Sequence, residues 1–231
     1  MRGEGGRGLY ADTPVTNETA RGFYEALGYR RAYLMPGYYD EGLDGVTYLK
    51  LFADEAVLRG AGRMVMFTGP AGAGKSTLAR AWCATRPRAV HVELDEVRHL
   101  IVSGLADPQV TGPLRAEQYD ASVAASCALV REFVESGYDV AVDDAIDPEG
   151  FERHWSPRLG DVACSVVVVR PSLEAVLERG AGRPKRVRPG LVREQHAAAS
   201  RWPARRTIDT TGQSVEESLG DARRLIAADG P

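Results

Sequence analysis

The fold of this chain is decided by Gly69-Pro70-Ala71-Gly72-Ala73-Gly74-Lys75-Ser76-Thr77, which matches the pattern G-x-x-x-x-G-K-[S/T]. Glycines let the backbone curl so that successive N–H groups point inward at phosphate oxygens, and the helix that follows adds its free N–H groups. In this arrangement Lys75 reaches the β- and γ-phosphates and Ser76 binds Mg²⁺. The predicted nucleotide-binding residues are Gly69, Ala71, Gly72, Ala73, Gly74, Lys75, Ser76 and Thr77.

Short apolar runs alternate with longer amphipathic runs after residue 62. A strand is predicted at 64–68, directly before the phosphate loop, and a helix at 75–85, directly after it. This context favours a nucleotide site over a flexible glycine turn. Further strands are predicted at 89–94, 138–142, 166–169 and 207–209, and further helices at 114–136 and 215–228. The last helix is predicted to be capped by Ser214, with Glu217 three residues further on. Strands alternating with helices predict the α/β class, a three-layer α/β/α fold around a five-stranded parallel sheet.

A carboxylate and an arginine follow the second predicted strand. Asp95 comes at the carboxyl edge of the parallel sheet, where we expect it to face the phosphate crevice. A carboxylate in that position can accept the proton of an attacking hydroxyl. Arg98, three residues further along a helix, could hold the substrate or a phosphate. The alternative is an N-cap aspartate followed by a surface arginine, and these two residues alone do not decide between them.

A pair of aspartates follows the third predicted strand. The run Val140-Ala141-Val142 ends in Asp143 and Asp144. An apolar strand that ends in acid is the Walker B pattern, which supports Mg²⁺ directly or through water. Either aspartate could serve, and the sequence does not choose. The alternative is a pair of turn aspartates before Pro148.

A basic segment follows the fourth predicted strand. From Arg179 to Arg206, nine arginine and lysine side chains are opposed by Glu194 alone. Within it, residues 180–184 are rich in glycine, which predicts a mobile loop. Such a loop fits a lid that closes over phosphates and neutralises the charge of the transition state. A solvated surface and a nucleic-acid patch are the alternatives.

Residues 63 to 228 resemble the small P-loop kinases of the AAA_33 group, which includes polynucleotide kinase, chloramphenicol phosphotransferase and zeta-toxin-like proteins. The resemblance is carried by the phosphate loop, by two acidic motifs and by several later positions. These segments are Gly69 to Thr77, Asp95-Glu96-Val97-Arg98, Val142-Asp143-Asp144, Arg170-Pro171-Ser172-Leu173-Glu174, Arg179, Arg183 and Ile208-Asp209-Thr210-Thr211-Gly212.

This resemblance implies the strand order of adenylate kinase, ATP as the donor, and transfer of the γ-phosphoryl group to a hydroxyl. By position, Asp95 matches the general base of the family, and Arg179 and Arg183 match its lid arginines. The turn formed by Thr211 and Gly212 lies where the adenine packs in the family. The acceptor-binding segments match no one member well, so the resemblance does not imply a particular substrate.

A second resemblance covers residues 17 to 52. Asn17 to Tyr29 resembles the late helix-to-strand passage of GNAT acetyltransferases, and residues 37–39 and 44–50 resemble the closing strands of that family. The resemblance implies a position near the thioester sulfur for Tyr24. The alternative is a half-buried aromatic helix face.

The GNAT loop R-x-x-G-x-G/A is poorly matched by Arg2 to Gly8. We therefore interpret residues 1–53 as the C-terminal remnant of an acetyltransferase, 54–62 as a linker and 63–231 as a kinase domain. Unpaired strand edges in the remnant would allow self-association.

Composition excludes several classes of protein. The 231 residues carry 29 basic and 32 acidic side chains, and a net charge of −3 gives no global case for nucleic-acid binding. Three cysteines, far apart, argue against a disulfide framework and against a cysteine-ligated metal site. No apolar run reaches the roughly 18–20 residues that span a bilayer, and the N-terminus lacks the apolar core of a signal peptide. We expect a cytoplasmic protein without a membrane partner.

The leading hypothesis is a kinase that uses ATP and Mg²⁺ and phosphorylates a hydroxyl of a small molecule, a nucleoside or a nucleic-acid end, the last being possible but not favoured. One alternative is a nucleotide-binding ATPase or switch without an acceptor. Another is a fragment of a bifunctional acetyltransferase–kinase.

Overall fold

The computed structural model describes residues 8–51, 62–107, 110–181 and 187–229. The chain divides into two compact units, Met1–Gly60 and Ala61–Pro231, and each is described here by itself. Most of the predicted linker, residues 54–61, lies outside the described residues, as does Arg183.

The first unit is one helix with a small antiparallel sheet. Its elements are β1 Gly8–Pro14, α1 Glu18–Ala26, β2 Arg30–Asp40 and β3 Leu43–Leu51, with the strand order β1-β3-β2. The side chain of Asn17 caps α1 by accepting a hydrogen bond from the backbone N–H of Ala20. Tyr48 of the central strand is fully buried, and its hydroxyl donates to Glu25 at 2.8 Å. Strand β1 was not predicted from the sequence.

The second unit is built on a five-stranded sheet. All neighbouring strands are parallel, and their order is β5-β6-β4-β7-β8. The strands are β4 Met64–Thr68, β5 Ala89–Glu93, β6 Asp139–Asp143, β7 Cys164–Val169 and β8 Thr207–Ile208. This arrangement confirms the predicted α/β class and the adenylate-kinase-like order. Because all five strands are parallel, their carboxyl ends lie at one edge of the sheet.

Helices surround this sheet. They are α2 Lys75–Ala84, α3 Leu94–His99, α4 Pro113–Glu135, α5 Pro148–Gly150, α6 Ser156–Leu159, α7 Leu173–Ala181, α8 Pro189–Ala199 and α9 Val215–Ala228. A π-helical turn, Phe151–Trp155, joins α5 to α6, and a 3₁₀ turn, Ala204–Arg206, precedes β8. The predicted cap of α9 is confirmed, since Ser214 and Glu217 form a reciprocal capping box. Across the described ranges, no helix combines the length and the apolarity needed to cross a membrane.

The strand sequences explain the three layers. Successive residues of a strand point to opposite faces, so a continuously apolar strand contributes to a core on each side. Met64 and Met66 of β4 pack on one face, in a cluster with Trp155, while Val65 and Phe67 pack on the other. All residues of β4 are buried. Two apolar cores thus hold the sheet rigid behind the loops at its carboxyl edge.

Candidate functional site

The phosphate loop connects β4 to α2, and its glycines have conformations that other residues rarely adopt. Gly69, Gly72 and Gly74 have φ angles of +138°, +92° and +100°. A Cβ atom on Gly69 would lie 2.1 Å from the carbonyl oxygen of Val169 on β7, which is too close for any side chain. Lys75 is the first residue of α2, and its Nζ donates to the carbonyl oxygen of Pro70 at 3.2 Å. The loop is therefore shaped by backbone geometry.

Ser76 and Asp143 meet beside this loop. The Ser76 hydroxyl donates to Asp143 Oδ1 at 3.1 Å. The other carboxylate oxygen of Asp143 lies 2.6 Å from Nε2 of His91 on the neighbouring strand. Glu93 lies opposite Asp143 in the sheet register, and one ligand atom from each of His91, Glu93 and Asp143 lies within 4.8 Å of the other two. The carboxylate oxygens of this cluster, unlike the ring nitrogen of His91, are ligands that suit Mg²⁺.

Asp144 occupies a different environment from that of its neighbour. Its Oδ2 accepts hydrogen bonds from the hydroxyl of Tyr119 at 2.7 Å and from the indole N–H of Trp155 at 3.1 Å. Burial raises the pKa of the Asp144 carboxyl, although these hydrogen bonds and the charge of Lys75 act in the opposite direction. Asp143 contacts the phosphate-loop serine, whereas Asp144 contacts the core. The structure thus separates two residues that the sequence could not distinguish.

A cavity of about 320 Å³ lies beside the phosphate loop. Arg179 of α7 lines it and donates to the carbonyl oxygen of Thr210 at 2.9 Å. The hydroxyl of Thr210 is buried and has no hydrogen-bond partner in the described part of the chain. Gly212 has a φ of +70° in the adjoining turn. Other lining residues are Gly72, Ala73, Gly74, Thr77, Leu78, Val169, Gln213, Ser214, Val215 and Ser218.

The structure brings Asp95 and Arg98 together on α3. Arg98 is buried, with 6% of its surface exposed, and its Nη2 lies 3.5 Å from Oδ1 of Asp95. The Asp95 side chain is 61% exposed. The alternative of an N-cap aspartate with a surface arginine is wrong on both counts, because Glu93 is the residue at the N-cap and the arginine is buried.

Sequence reasoning missed a residue of α8 at the phosphate loop. The side-chain oxygen Oε1 of Gln195 accepts a hydrogen bond from the backbone N–H of Ala71 at 2.9 Å. No sequence signal points to this contact, because the two residues are 124 positions apart. His91 was also missed, although its alternation with Glu93 on β5 places both side chains on one face of the strand.

Comparisons with known proteins identify the family of the chain. The family model AAA_33, described as an AAA domain, matches residues 64–204, and the chain therefore belongs to this family. No curated protein matches the chain.

Solved structures share the fold of the chain. A sugar kinase from Janibacter sp. HTCC2649 is 16% identical, with a TM-score of 0.56 over 72% of this chain and 95% of that one. A gluconokinase from Sinorhizobium meliloti 1021 is 18% identical, with a TM-score of 0.51 over 73% and 93%. The tunicamycin resistance protein of Deinococcus radiodurans is 21% identical, with a TM-score of 0.51 over 73% and 96%. At these identities the likeness concerns the fold alone.

Proposed function

We propose that this member of the AAA domain family is an ATP- and Mg²⁺-dependent kinase, which transfers the γ-phosphoryl group of ATP to a hydroxyl of a small molecule, a nucleoside or a nucleic-acid end. The observation that carries the proposal is the 3.1 Å contact between Ser76 Oγ and Asp143 Oδ1 beside the phosphate loop. A fold shared with kinases that act on small molecules supports it.

ATP binding is assigned to the loop and to the adjoining cavity. The N–H groups of residues 69–77 and the ammonium of Lys75 would hold the phosphates. The cavity lined by Arg179 and Thr210 would receive the base and ribose, with the turn at Gly212 beside it. Thr77, Gln213 and Ser214 on the lining of the cavity provide polar groups for the nucleotide to contact.

The donor set fits Mg²⁺ because a hydroxyl and a carboxylate oxygen converge at the phosphate loop. Ser76 and Asp143 would hold the ion, and Asp144 would support the site from the core. When bound, Mg²⁺ neutralises phosphate charge. His91 fixes the second oxygen of Asp143 and so orients the first oxygen toward Ser76.

Transfer requires a base for the acceptor hydroxyl, and we assign that role to Asp95. The acceptor oxygen attacks the γ-phosphorus, its proton passes to the Asp95 carboxylate, and the bond from phosphorus to the β–γ bridging oxygen breaks to release ADP. Arg98 lies beside Asp95, so it would hold the carboxylate in place. Arg179 and Arg183 would stabilise the charge on the transferring group.

Transfer of label from γ-³²P-ATP to nucleosides, sugars, oligonucleotide ends and antibiotic alcohols tests the proposal. Asp95→Asn should abolish transfer but retain ATP binding, while Glu96→Gln, on the exposed neighbouring carboxylate, should leave transfer unchanged. An ATPase without an acceptor would give no labelled product, and its ATP turnover would be nearly the same in Asp95→Asn as in the unsubstituted chain. That result would exclude the kinase assignment.

We also propose that the first unit is the closing part of a GNAT acetyltransferase domain. The passage from α1 into the antiparallel strands β2 and β3 supports this interpretation. Strands β1 and β2 are the edges of the sheet, which favours self-association. Reading the genomic DNA upstream of Met1 tests the proposal, and an in-frame stop codon directly before Met1 would count against it.

A further inference from the structure

Exposed apolar side chains are concentrated in one segment of the second unit. Among its described residues, seven large apolar side chains are exposed, and five of these lie between residues 100 and 114. Of the other two, Val215 lines the nucleotide cavity and Leu129 lies on α4. The five, called the apolar loop below, are Leu100, Val102, Leu105, Val110 and Leu114. Five such residues in one short segment form a candidate binding surface, because large exposed apolar patches on soluble proteins mark interaction or ligand sites.

Two backbone groups of this segment, at Gly104 and Ala106, are hydrogen-bonded to α4. Gln118 of α4 is buried, and its Oε1 accepts a hydrogen bond from the N–H of Ala106 at 2.9 Å. Its Nε2 donates to the carbonyl oxygen of Gly104 at 2.8 Å. Both the oxygen and the nitrogen of the Gln118 side chain are therefore hydrogen-bonded to the backbone of the loop. These two hydrogen bonds flank Leu105 and lie close to Val102. The exposure of both side chains therefore occurs on a backbone that is bonded to α4.

Both ends of the apolar loop connect to the candidate site. The loop follows α3, which carries Asp95 and Arg98. Gln118, which holds the loop, is followed in the sequence by Tyr119, whose hydroxyl donates to Asp144 beside the Ser76–Asp143 pair. The loop thus lies between the helix with the proposed base and the helix that supports the proposed metal site.

The apolar loop lacks the arginine and lysine side chains that are abundant in the basic segment from Arg179 to Arg206. Between Arg98 and Arg115 there is no lysine or arginine, and the only ionisable residues are His99 and Asp107. Nucleic acids and phosphorylated compounds are bound through arginine and lysine, since their charge must be neutralised. A surface that is apolar and lacks these cations suits an uncharged molecule.

From these observations we infer that the apolar loop binds the acceptor, and that the acceptor is an uncharged, hydroxyl-bearing small molecule with an apolar body. This inference rests on the proposed kinase function. It disfavours two of the acceptors that the reaction would otherwise allow, a nucleic-acid end and a sugar phosphate.

Binding of Nile red, an uncharged apolar dye, tests the surface without any requirement for catalysis. Val102 is 96% exposed, so Val102→Ser removes apolar surface without disturbing the core. We expect it to weaken dye binding by about fivefold. The matched control is Leu129→Ser, on an exposed residue of α4 outside the loop, which should leave binding unchanged. Equal effects of the two substitutions would overturn the inference.

Phosphate transfer tests the acceptor class. Methyl and hexyl β-D-glucopyranoside carry the same hydroxyls and differ in their apolar body, and we expect the hexyl compound to be the better acceptor by about tenfold in kcat/KM. Val102→Ser should raise the KM for the hexyl compound and leave that for ATP unchanged.

Better transfer to a 5′-hydroxyl oligonucleotide or to glucose 6-phosphate would overturn the inference. So would a dimer that Val102→Ser dissociates, because the loop would then be an interface between copies. Dye binding that depends on Val102, without transfer to any acceptor, would support the surface and contradict the kinase proposal alone.

Discussion

The proposed nucleotide side and the proposed acceptor side of the candidate site are built in different ways. On the nucleotide side, backbone groups of the phosphate loop form the surface, and Gly69 fits only because it has no Cβ to collide with Val169. On the proposed acceptor side, the surface is formed by side chains such as the exposed carboxylate of Asp95, which lies beside the buried Arg98, and Gln118 binds the backbone of the loop that follows at Gly104 and Ala106. Backbone geometry tolerates few sequences, whereas a surface of side chains accepts many. The nucleotide side can therefore be identified in the sequence as a motif, whereas the acceptor side cannot.

Among the substitutions that test this difference, loss of Lys75 should have the largest effect on phosphate transfer. Lys75→Met should lower the rate of phosphate transfer by about a thousandfold, because a charge at the phosphates would be lost. Lys75→Arg should cost nearly as much, since a planar guanidinium does not replace a compact ammonium inside the loop. Rates of label transfer from γ-³²P-ATP measure both substitutions. An active Lys75→Arg variant would show that charge alone, and not shape, defines the nucleotide side.

The next effect separates the two adjacent aspartates. Asp143→Asn should raise the Mg²⁺ concentration needed for half-maximal transfer by about tenfold to a hundredfold, because the negative charge of the carboxylate beside Ser76 is lost. Asp144→Asn keeps an oxygen acceptor for Tyr119 and Trp155, so transfer should change by less than about threefold. Titration of MgCl₂ into each variant measures the difference. Similar shifts for the two variants would contradict the assignment of Asp143 to the metal.

The pH dependence of stability provides a further test of Asp144. Burial raises the pKa of this carboxyl above that in the unfolded chain, so the folded state holds the proton more tightly. The contribution of Asp144 to stability is therefore complete below the unfolded pKa of about 4 and declines as pH rises through the folded pKa. Between these two pKa values, the free energy of unfolding of Asp144→Asn should increase with pH relative to that of the unsubstituted chain. Urea denaturation at a series of pH values measures the difference. A constant difference would indicate that Asp144 is solvated.

The smallest expected effect concerns Gln195. Its Oε1 already occupies the N–H of Ala71, a group that we assign to phosphate binding, so ATP must displace it. Gln195→Ala should tighten the binding of a non-hydrolysable ATP analogue by about fivefold, the net worth of one hydrogen bond. Glu194→Gln, on the exposed neighbour, is the control. Calorimetric titration measures both, and weaker binding by Gln195→Ala would show that Gln195 contacts ATP directly.

Much of the fold was predictable, since each strand of the second unit is a short apolar run beside a turn signal. The strand β4 was predicted with its observed bounds, and the cap at Ser214 was predicted from the glutamate three residues later. Helices α3 and α8 carry no comparable pattern, because they are short or mainly polar on their exposed faces. The choice between Asp143 and Asp144 could not be predicted, since it depends on Ser76 and Tyr119, which are distant in sequence.

Two consecutive residues of α4 contact the two proposed sides, because Gln118 binds the backbone of the apolar loop and Tyr119 donates to Asp144. A ligand that holds the loop in this arrangement also restrains the turn of helix that presents Tyr119. Thermodynamic linkage is reciprocal, so if an occupied loop raises the affinity of the site for ATP and Mg²⁺, these must raise the affinity for the acceptor by the same factor. Cooperativity between the two substrates would then arise from one helical turn, with no domain movement required.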